Sequence, residues 1–227
     1  MVSIISVNWN SYDFLNLLIE SLEIYSNLPY ELIVIDNSIE KQEICRPNVF
    51  QHLMSENIGH GQGLNIGSKL AKFEFVMFLD VDTHVLCHNW QDLFLKTIKE
   101  FDVIGGKGVP AKPIRPACMF MKKEISLKYD WKPTDGYKGE RGGVPGFDVA
   151  IQAYHQMVKD GVKIKLLEHI PTRYKTIVGE EFCIEGEPIC YHHWHGSHIK
   201  ERQIDFDNCD LEQNKKLLFS KIPWRIL

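Results

Sequence analysis

No apolar stretch in these 227 residues approaches the roughly 18 to 20 that a bilayer-spanning helix needs, so any membrane association would be peripheral. Nor is there an excess of positive charge. The 26 Lys and Arg against 30 Asp and Glu leave a formal net charge of -4, which argues against tight non-specific nucleic-acid binding and leaves a local basic groove open. The six cysteines, at positions 45, 87, 118, 183, 190 and 209, form no Cys-x-x-Cys pair. The start, MVSIISVNWN, lacks the basic region of a secretory signal, so reduced thiols in a cytoplasmic compartment are the expectation. With no internal repeat and no linker long enough to separate two independent units, residues 1–227 are read as one domain.

What is present is an alternation. VSIISV (2–7), ELIVID (31–36), the weaker FQHLMS (50–55) and FEFVMFLD (73–80) read as buried strands. Between them, Phe14, Leu18 and Leu22 with Leu15 and Ile19 repeat at helical spacing, and GQGLNIGSKLAKF reads as a helix with a Gly-rich start. NWQDLFLKTIKEF is a further helix and DVIGG a short strand. This predicts an α/β fold with a mostly parallel central sheet and helices on both faces. Ligands of such sheets bind at the carboxyl ends of the strands, which puts the NWN, IDNS and LDVD ends on one rim.

The second half is less regular. PACMFMKKE reads as a strand leading into a helix start, and WKPTDGYKGERGGVPG (131–146) as a long mobile loop. FDVAIQAYHQMVKDG reads as a helix with Phe147, Ile151, Tyr154 and Val158 on one face and Gly161 at its end. VKIKLLE alternates as a strand, and CDLEQNKKLLFSKI reads as a terminal helix.

One stretch demands a chemical explanation. EFVMFLDVDTHV (74–85) is an apolar run ending in Asp80 and Asp82, two carboxylates that repel one another and lose hydration at a buried strand end. A hard divalent cation, Mg2+ or Mn2+, shared between them would compensate both and keep sites for phosphate oxygens. The plain alternative is a solvated pair in a turn. Further along, YHHWHGSH (191–198) packs four histidines into seven residues beside Trp194 and a glycine. These could complete a metal site, bind zinc with Cys183 and Cys190 at an unusual spacing, or simply pack.

Taken in order, SIISVNWNSYDFL, ELIVIDNS, ENIGHGQGLNIGSKLA and FVMFLDVD resemble family-two-type nucleotide-sugar glycosyltransferases of the GT-A fold, over residues 2 to 106. The resemblance implies a nucleotide-sugar-binding half (1–106) and a smaller acceptor and catalytic half (107–227). It implies that the loop after the first strand (Val7, Asn8, Asn10) and Asp36 hold the nucleoside. Asn57, Gly59, Gly63 and Asn65 would shape the pocket near ribose and diphosphate. Asp80 and Asp82 would be the metal motif, with Asp80 and Val81 also on the donor. In many such enzymes a late histidine completes the metal site; here His195 is favoured, then His193. Asp148, at the start of its helix, would be the general base, although Phe147 stands where the family usually has a glutamate.

The implied activity is metal-dependent transfer of one sugar from a nucleoside diphosphate donor, expected to be a UDP-sugar, with inversion. The acceptor stays open among a glycan, a lipid-linked glycan, a protein and a modified DNA base. Two other classes compete. Asp-Val-Asp-Thr after an apolar strand also resembles haloacid-dehalogenase-type phosphatases, with Asp80 as nucleophile and Asp82 as acid and base. A non-catalytic sugar-nucleotide sensor is the other.

Overall fold

Strand β1 (Val2–Asn8) sends Ile4 to one face of the sheet and Ile5 to the other, both without accessible surface. Side chains of a strand alternate, so an apolar run with no polar face must be covered twice. In the computed structural model, which describes residues 1–109, 112–132, 139–141, 144–146, 149–174 and 177–193, helices supply both covers.

In chain order, β1 is followed by α1 (Tyr12–Tyr25), β2 (Tyr30–Asp36), β3 (Val49–Leu53), α2 (His60–Leu70), β4 (Phe75–Leu79), β5 (Thr83–Val85) and α3 (Trp90–Thr97). Then come β6 (Val103–Val109), β7 (Lys112–Lys122), α4 (Lys123–Lys128), the short β8 (Gly139–Arg141) and β9 (Val144–Gly146), α5 (Ile151–Lys159), β10 (Ile164–Tyr174), β11 (Ile177–Ile184) and β12 (Glu187–His193). Ile4, Leu32, Val34, Met77 and Leu79 pack with Leu15, Leu18 and Leu22 of α1 and with Trp90 and Phe94 of α3. Ile5, Ile33, Ile35, Val76 and Phe78 pack on the opposite side with Leu64 of α2, Trp131, and Ala153 and Met157 of α5. Each Val, Leu, Ile, Phe or Met among them, fully buried, contributes roughly 1.5–3 kcal/mol.

Ten strands form one sheet in the order β3-β2-β1-β4-β7-β6-β10-β11-β12-β5. The expected α/β architecture is present, but the sheet is mixed. β3, β2, β1 and β4 run parallel, as do β6 and β10. β7 runs antiparallel between β4 and β6, and β10, β11, β12 and β5 form an antiparallel meander. The departure comes from β7, expected as a strand but running antiparallel to both neighbours, and from β11 and β12, which the sequence reading left unassigned. IVGEEFCI and EPICYHH form a hairpin whose turn residues, Glu185 and Gly186, have φ of 53° and 80°. Two left-handed residues in a two-residue turn match the twist of a hairpin.

Two smaller expectations also change. Within the expected loop, residues 139–141 and 144–146 pair as the strands β8 and β9. Helix α5 buries Ile151, Ala153 and Met157, leaving Val158 about half exposed, so its buried face is rotated from the one predicted. Phe147, Asp148, His195, Trp224 and the terminal helix expected at 209–222 lie outside the described residues. Among the described residues no helix is long and apolar enough to cross a membrane.

Candidate functional site

The strand order reverses direction between β1 and β4, because β2 and β3 extend the sheet on one side and β4 on the other. At such a point the loops leaving the carboxyl ends diverge and open a crevice. A cavity of about 290 Å³ lies there, lined by Val7, Trp9, Asn37, Asn57, Gly59, His60, Asp80, Val81 and Asp82. Helix α2 points its N-terminus at this cavity, an arrangement that favours anions.

The sequence-predicted residues divide into those that face the cavity and those that build it. Val7, Asn57, Gly59, Asp80, Val81 and Asp82 line it. Asn8 and Asp36, expected against the nucleoside, are instead fully buried behind it. They sit opposite each other in the β1–β2 register. The Asp36 carboxylate accepts from Asn8 Nδ2 at 3.2 Å, Tyr12 OH at 2.6 Å, the Ser38 amide at 3.0 Å and Gln51 Nε2 at 2.6 Å. Burial pushes its pKa up, but hydrogen bonds from Ser38, Tyr12 and Gln51 outweigh this and hold it below the usual carboxylate value. With four donors already on it, Asp36 shapes the loops that carry Trp9 and Asn37 to the cavity. Asn10, left-handed at φ 53°, accepts from the Ile39 amide at 3.1 Å and fastens the same two loops together.

Gly63 and Asn65 also fall behind the wall. A Cβ on Gly63 would stand 2.7 Å from Val7 Cγ2, and one on Gly67 would collide with Ile5, so these glycines let α2 lie close on β1. Asn65 donates to Asp130 at 2.6 Å and accepts from the Trp131 amide, tying α2 to the segment after α4. Trp90 and Trp131 are core residues without accessible surface, whereas Trp9 is a cavity residue.

The acidic pair is met from two sides. His60, the first residue of α2, places Nε2 3.3 Å from Asp80 Oδ1. From the far end of the sheet, β12 pairs with β5 so that His192 lies opposite Thr83, and the His193 amide donates to the Asp82 carbonyl at 2.9 Å. His192 Nε2 is thereby 3.5 Å from Asp82 Oδ1. Among the described residues, Asp80, Asp82 and His192 form the group whose ligand atoms converge, all within 4.8 Å of one another.

His193, predicted as a ligand, turns the other way. Neighbouring strand residues face opposite sides, and His193 is buried against Phe14, Tyr191 and His84, with Nε2 3.1 Å from His84 Nδ1. Burial holds His84 down to about 3, and burial followed by the nearness of His84 and His192 holds His193 well below its ordinary value. These are core imidazoles. His192 behaves differently: burial lowers its pKa, but the Glu180 hydrogen bond and the charges of Asp82 and Asp80 outweigh this and raise it.

Two carboxylate oxygens and one imidazole nitrogen are a donor set that a hard dication such as Mg2+ or Mn2+ accepts. Ligands about 2.1 Å from an octahedral ion stand about 3 to 4 Å apart, so a group spread over up to 4.8 Å would draw in slightly around one. The cavity leaves the remaining positions open to water or phosphate oxygens. Sequence reasoning did not single out His60, and it held His192 among the four histidine candidates of 191–198 without favouring it. The first stood unremarked inside the Gly-rich stretch, and the second needed the β11–β12 hairpin to be recognised so that alternation could choose between His192 and His193.

The family model described as glycosyl transferase family 2 matches residues 3–142, more than half of the chain. Among curated proteins, no sequence matches. Among solved structures, the mannosyltransferase PcManGT from Pyrobaculum calidifontis, in complex with GDP-Man and Mn2+, is similar with a TM-score of 0.53 at 12% identity, covering 73% of this chain and 54% of that one. Residues 1–349 of S. aureus TarS are similar with a TM-score of 0.53 at 15% identity, covering 96% of this chain and 72% of that one. The same TarS fragment in complex with UDP-GlcNAc gives 0.45 at 20% identity over 61% of this chain and 50% of that one. The matched part of the chain thus spans about half the length of the TarS complex and of the mannosyltransferase. At such identities the likeness establishes the fold.

Proposed function

The chain belongs to glycosyl transferase family 2, and from that premise we propose that it transfers a single sugar from a nucleoside diphosphate sugar to an acceptor hydroxyl, assisted by Mn2+ or Mg2+. The observation that carries this reading is the convergence of Asp80, Asp82 and His192 on the rim of a cavity that also receives the N-terminus of α2. A cation shared by the three groups would account for a buried strand that ends in two carboxylates with an imidazole aimed at them. Family membership also sets the phosphatase alternative aside.

In this reading Asp80, Asp82 and His192 hold the cation, which when bound supplies positive charge against the diphosphate as its bond to the sugar breaks. Trp9, Val7 and Asn37 form the wall for the nucleoside, and Asn57, Gly59 and His60 lie beside the diphosphate. Asp148 remains the proposed general base. It would take the acceptor proton while the acceptor oxygen forms the new bond and the nucleoside diphosphate leaves, a direct displacement that inverts the anomeric carbon. A UDP-sugar is the proposed donor and the acceptor is a hydroxyl-bearing molecule.

The test is a thermal-shift screen of UDP and GDP sugars with and without Mn2+, followed by donor hydrolysis without acceptor. A ligand that binds only the folded state raises apparent stability by mass action. Stabilisation by one nucleotide sugar only when Mn2+ is present, with slow release of that sugar, is the expected result. Equal stabilisation in EDTA would remove the metal from the proposal. No response to any nucleotide sugar would remove the activity. Asp148→Asn should keep donor stabilisation and lose transfer; retained transfer would remove that base assignment alone.

A further inference from the structure

Glu180 lies directly opposite His192 in the β11–β12 ladder, with no accessible surface and no place on the cavity wall. A carboxylate buried this deeply costs several kcal/mol unless it is paired and hydrogen-bonded. Arg115, from β7, supplies the opposite charge through Nη1 to Glu180 Oε1. The same Oε1 stands 3.2 Å from His192 Nδ1. The second oxygen, Oε2, is buried without a hydrogen-bond partner among the described residues. The Phe182 ring lies nearly parallel to the imidazole, 17° between planes and 6.2 Å between centroids. The His192 ring is therefore held by one edge and stacked on one face, leaving Nε2 directed at Asp82.

We propose that Glu180 is a positioning residue for the cation site, accepting a hydrogen bond from His192 Nδ1–H so that Nε2 is the nitrogen without a proton and is aimed between Asp80 and Asp82. The inference rests on the functional reading above and adds to it a residue that touches neither donor nor cation. A neutral imidazole carries its proton on one nitrogen only, and the partner of that nitrogen decides which one is left to bind a metal. Arg115 completes the chain by keeping the Glu180 carboxylate ionised and fixed as an acceptor. A purely structural Arg115–Glu180 pair would not need the imidazole.

The experiment measures Mn2+ affinity of the full chain from the electron paramagnetic resonance signal of the free ion. Glu180→Gln should weaken binding about 10- to 100-fold, the range expected when the partner of a metal-binding histidine is removed. In a His192→Ala background the same substitution should change nothing further. Unchanged affinity in Glu180→Gln, or an equal loss with and without His192, would overturn the proposal. If the variant does not fold, the wild-type protein still decides. With Zn2+ as a diamagnetic occupant, nitrogen–proton correlation spectra should show His192 protonated at Nδ1, and protonation at Nε2 would overturn the proposal. Failure of the wild-type chain to bind Mn2+ would remove manganese from the functional reading and this inference with it, whereas tight binding by both wild type and Glu180→Gln sinks the inference alone.

Discussion

His192 lies across the β12–β5 ladder from Thr83, and that pairing brings an imidazole within 3.5 Å of Asp82. The ladder, rather than any local motif, completes the acidic site.

Asp82→Asn should therefore abolish the stabilisation by Mn2+ and nucleotide together while leaving the fold in place, since an amide is a neutral and poor ligand for a hard cation. Thermal shift with Mn2+ and UDP checks this. An unchanged shift would mean that the ion, if bound, is held elsewhere.

Asp36 behaves as structure more than as contact. Asp36→Asn would set an amide NH2 against Tyr12 OH and Gln51 Nε2, both of which donate now. A loss of roughly 2–4 kcal/mol in urea unfolding is expected, in line with removing a buried, charge-assisted acceptor. Tyr12→Phe should cost less, about 1.5–3 kcal/mol, because only one of the four donors is lost.

The contact between α2 and β1 has no room for a methyl group at Gly67, where a Cβ would run into Ile5. Gly67→Ala should lower stability by about 1–3 kcal/mol despite the better helix propensity of alanine. Urea midpoints measure it. In an Ile5→Ala background the same change should cost less or nothing, and equal costs in both backgrounds would refute the packing explanation.

His84 and His193 give the fold a dependence on acid. Both are held below the ordinary value of 6.5, His84 at about 3, so the unfolded chain binds protons that the folded chain refuses. Their contribution is complete above about pH 6.5 and falls as pH drops toward the folded values. His192, raised above 6.5, works in reverse: its contribution is full below that value and fades as pH rises through its folded pKa. Two lowered groups against one raised group predict weaker stability at pH 5.5 than at pH 7.5, read from denaturant midpoints in EDTA. His84→Phe should shrink that difference between pH 5.5 and pH 7.5 by about 1.4 kcal/mol, because over this interval the unfolded histidine takes up most of one proton.

Much of the first half was legible because its signals are local. Short apolar runs separated by helical patterns located β1, β2 and β4, and the acids at the end of β4 announced a site. The roles of Asn8, Asp36, Gly63 and Asn65 were not legible, because motif position cannot separate a residue that touches a ligand from one that holds the loop behind it. The β11–β12 hairpin was missed for a related reason. Glu180 and Glu181 interrupt the apolar alternation, yet both are buried. Only the arrival of Arg115 from β7 and His192 from β12 makes Glu180 tolerable there, and neither is visible in a local window. The one local clue was Glu185-Gly186, a turn pair between two apolar runs.

Because β5 finds its partner about 110 residues further along, a growing chain on the ribosome would display both aspartates long before their histidine emerges. Such distant closures are slow to form. The unfinished polypeptide would thus own the walls of its crevice but lack the imidazole that faces Asp82, acquiring it only as synthesis passes residue 192.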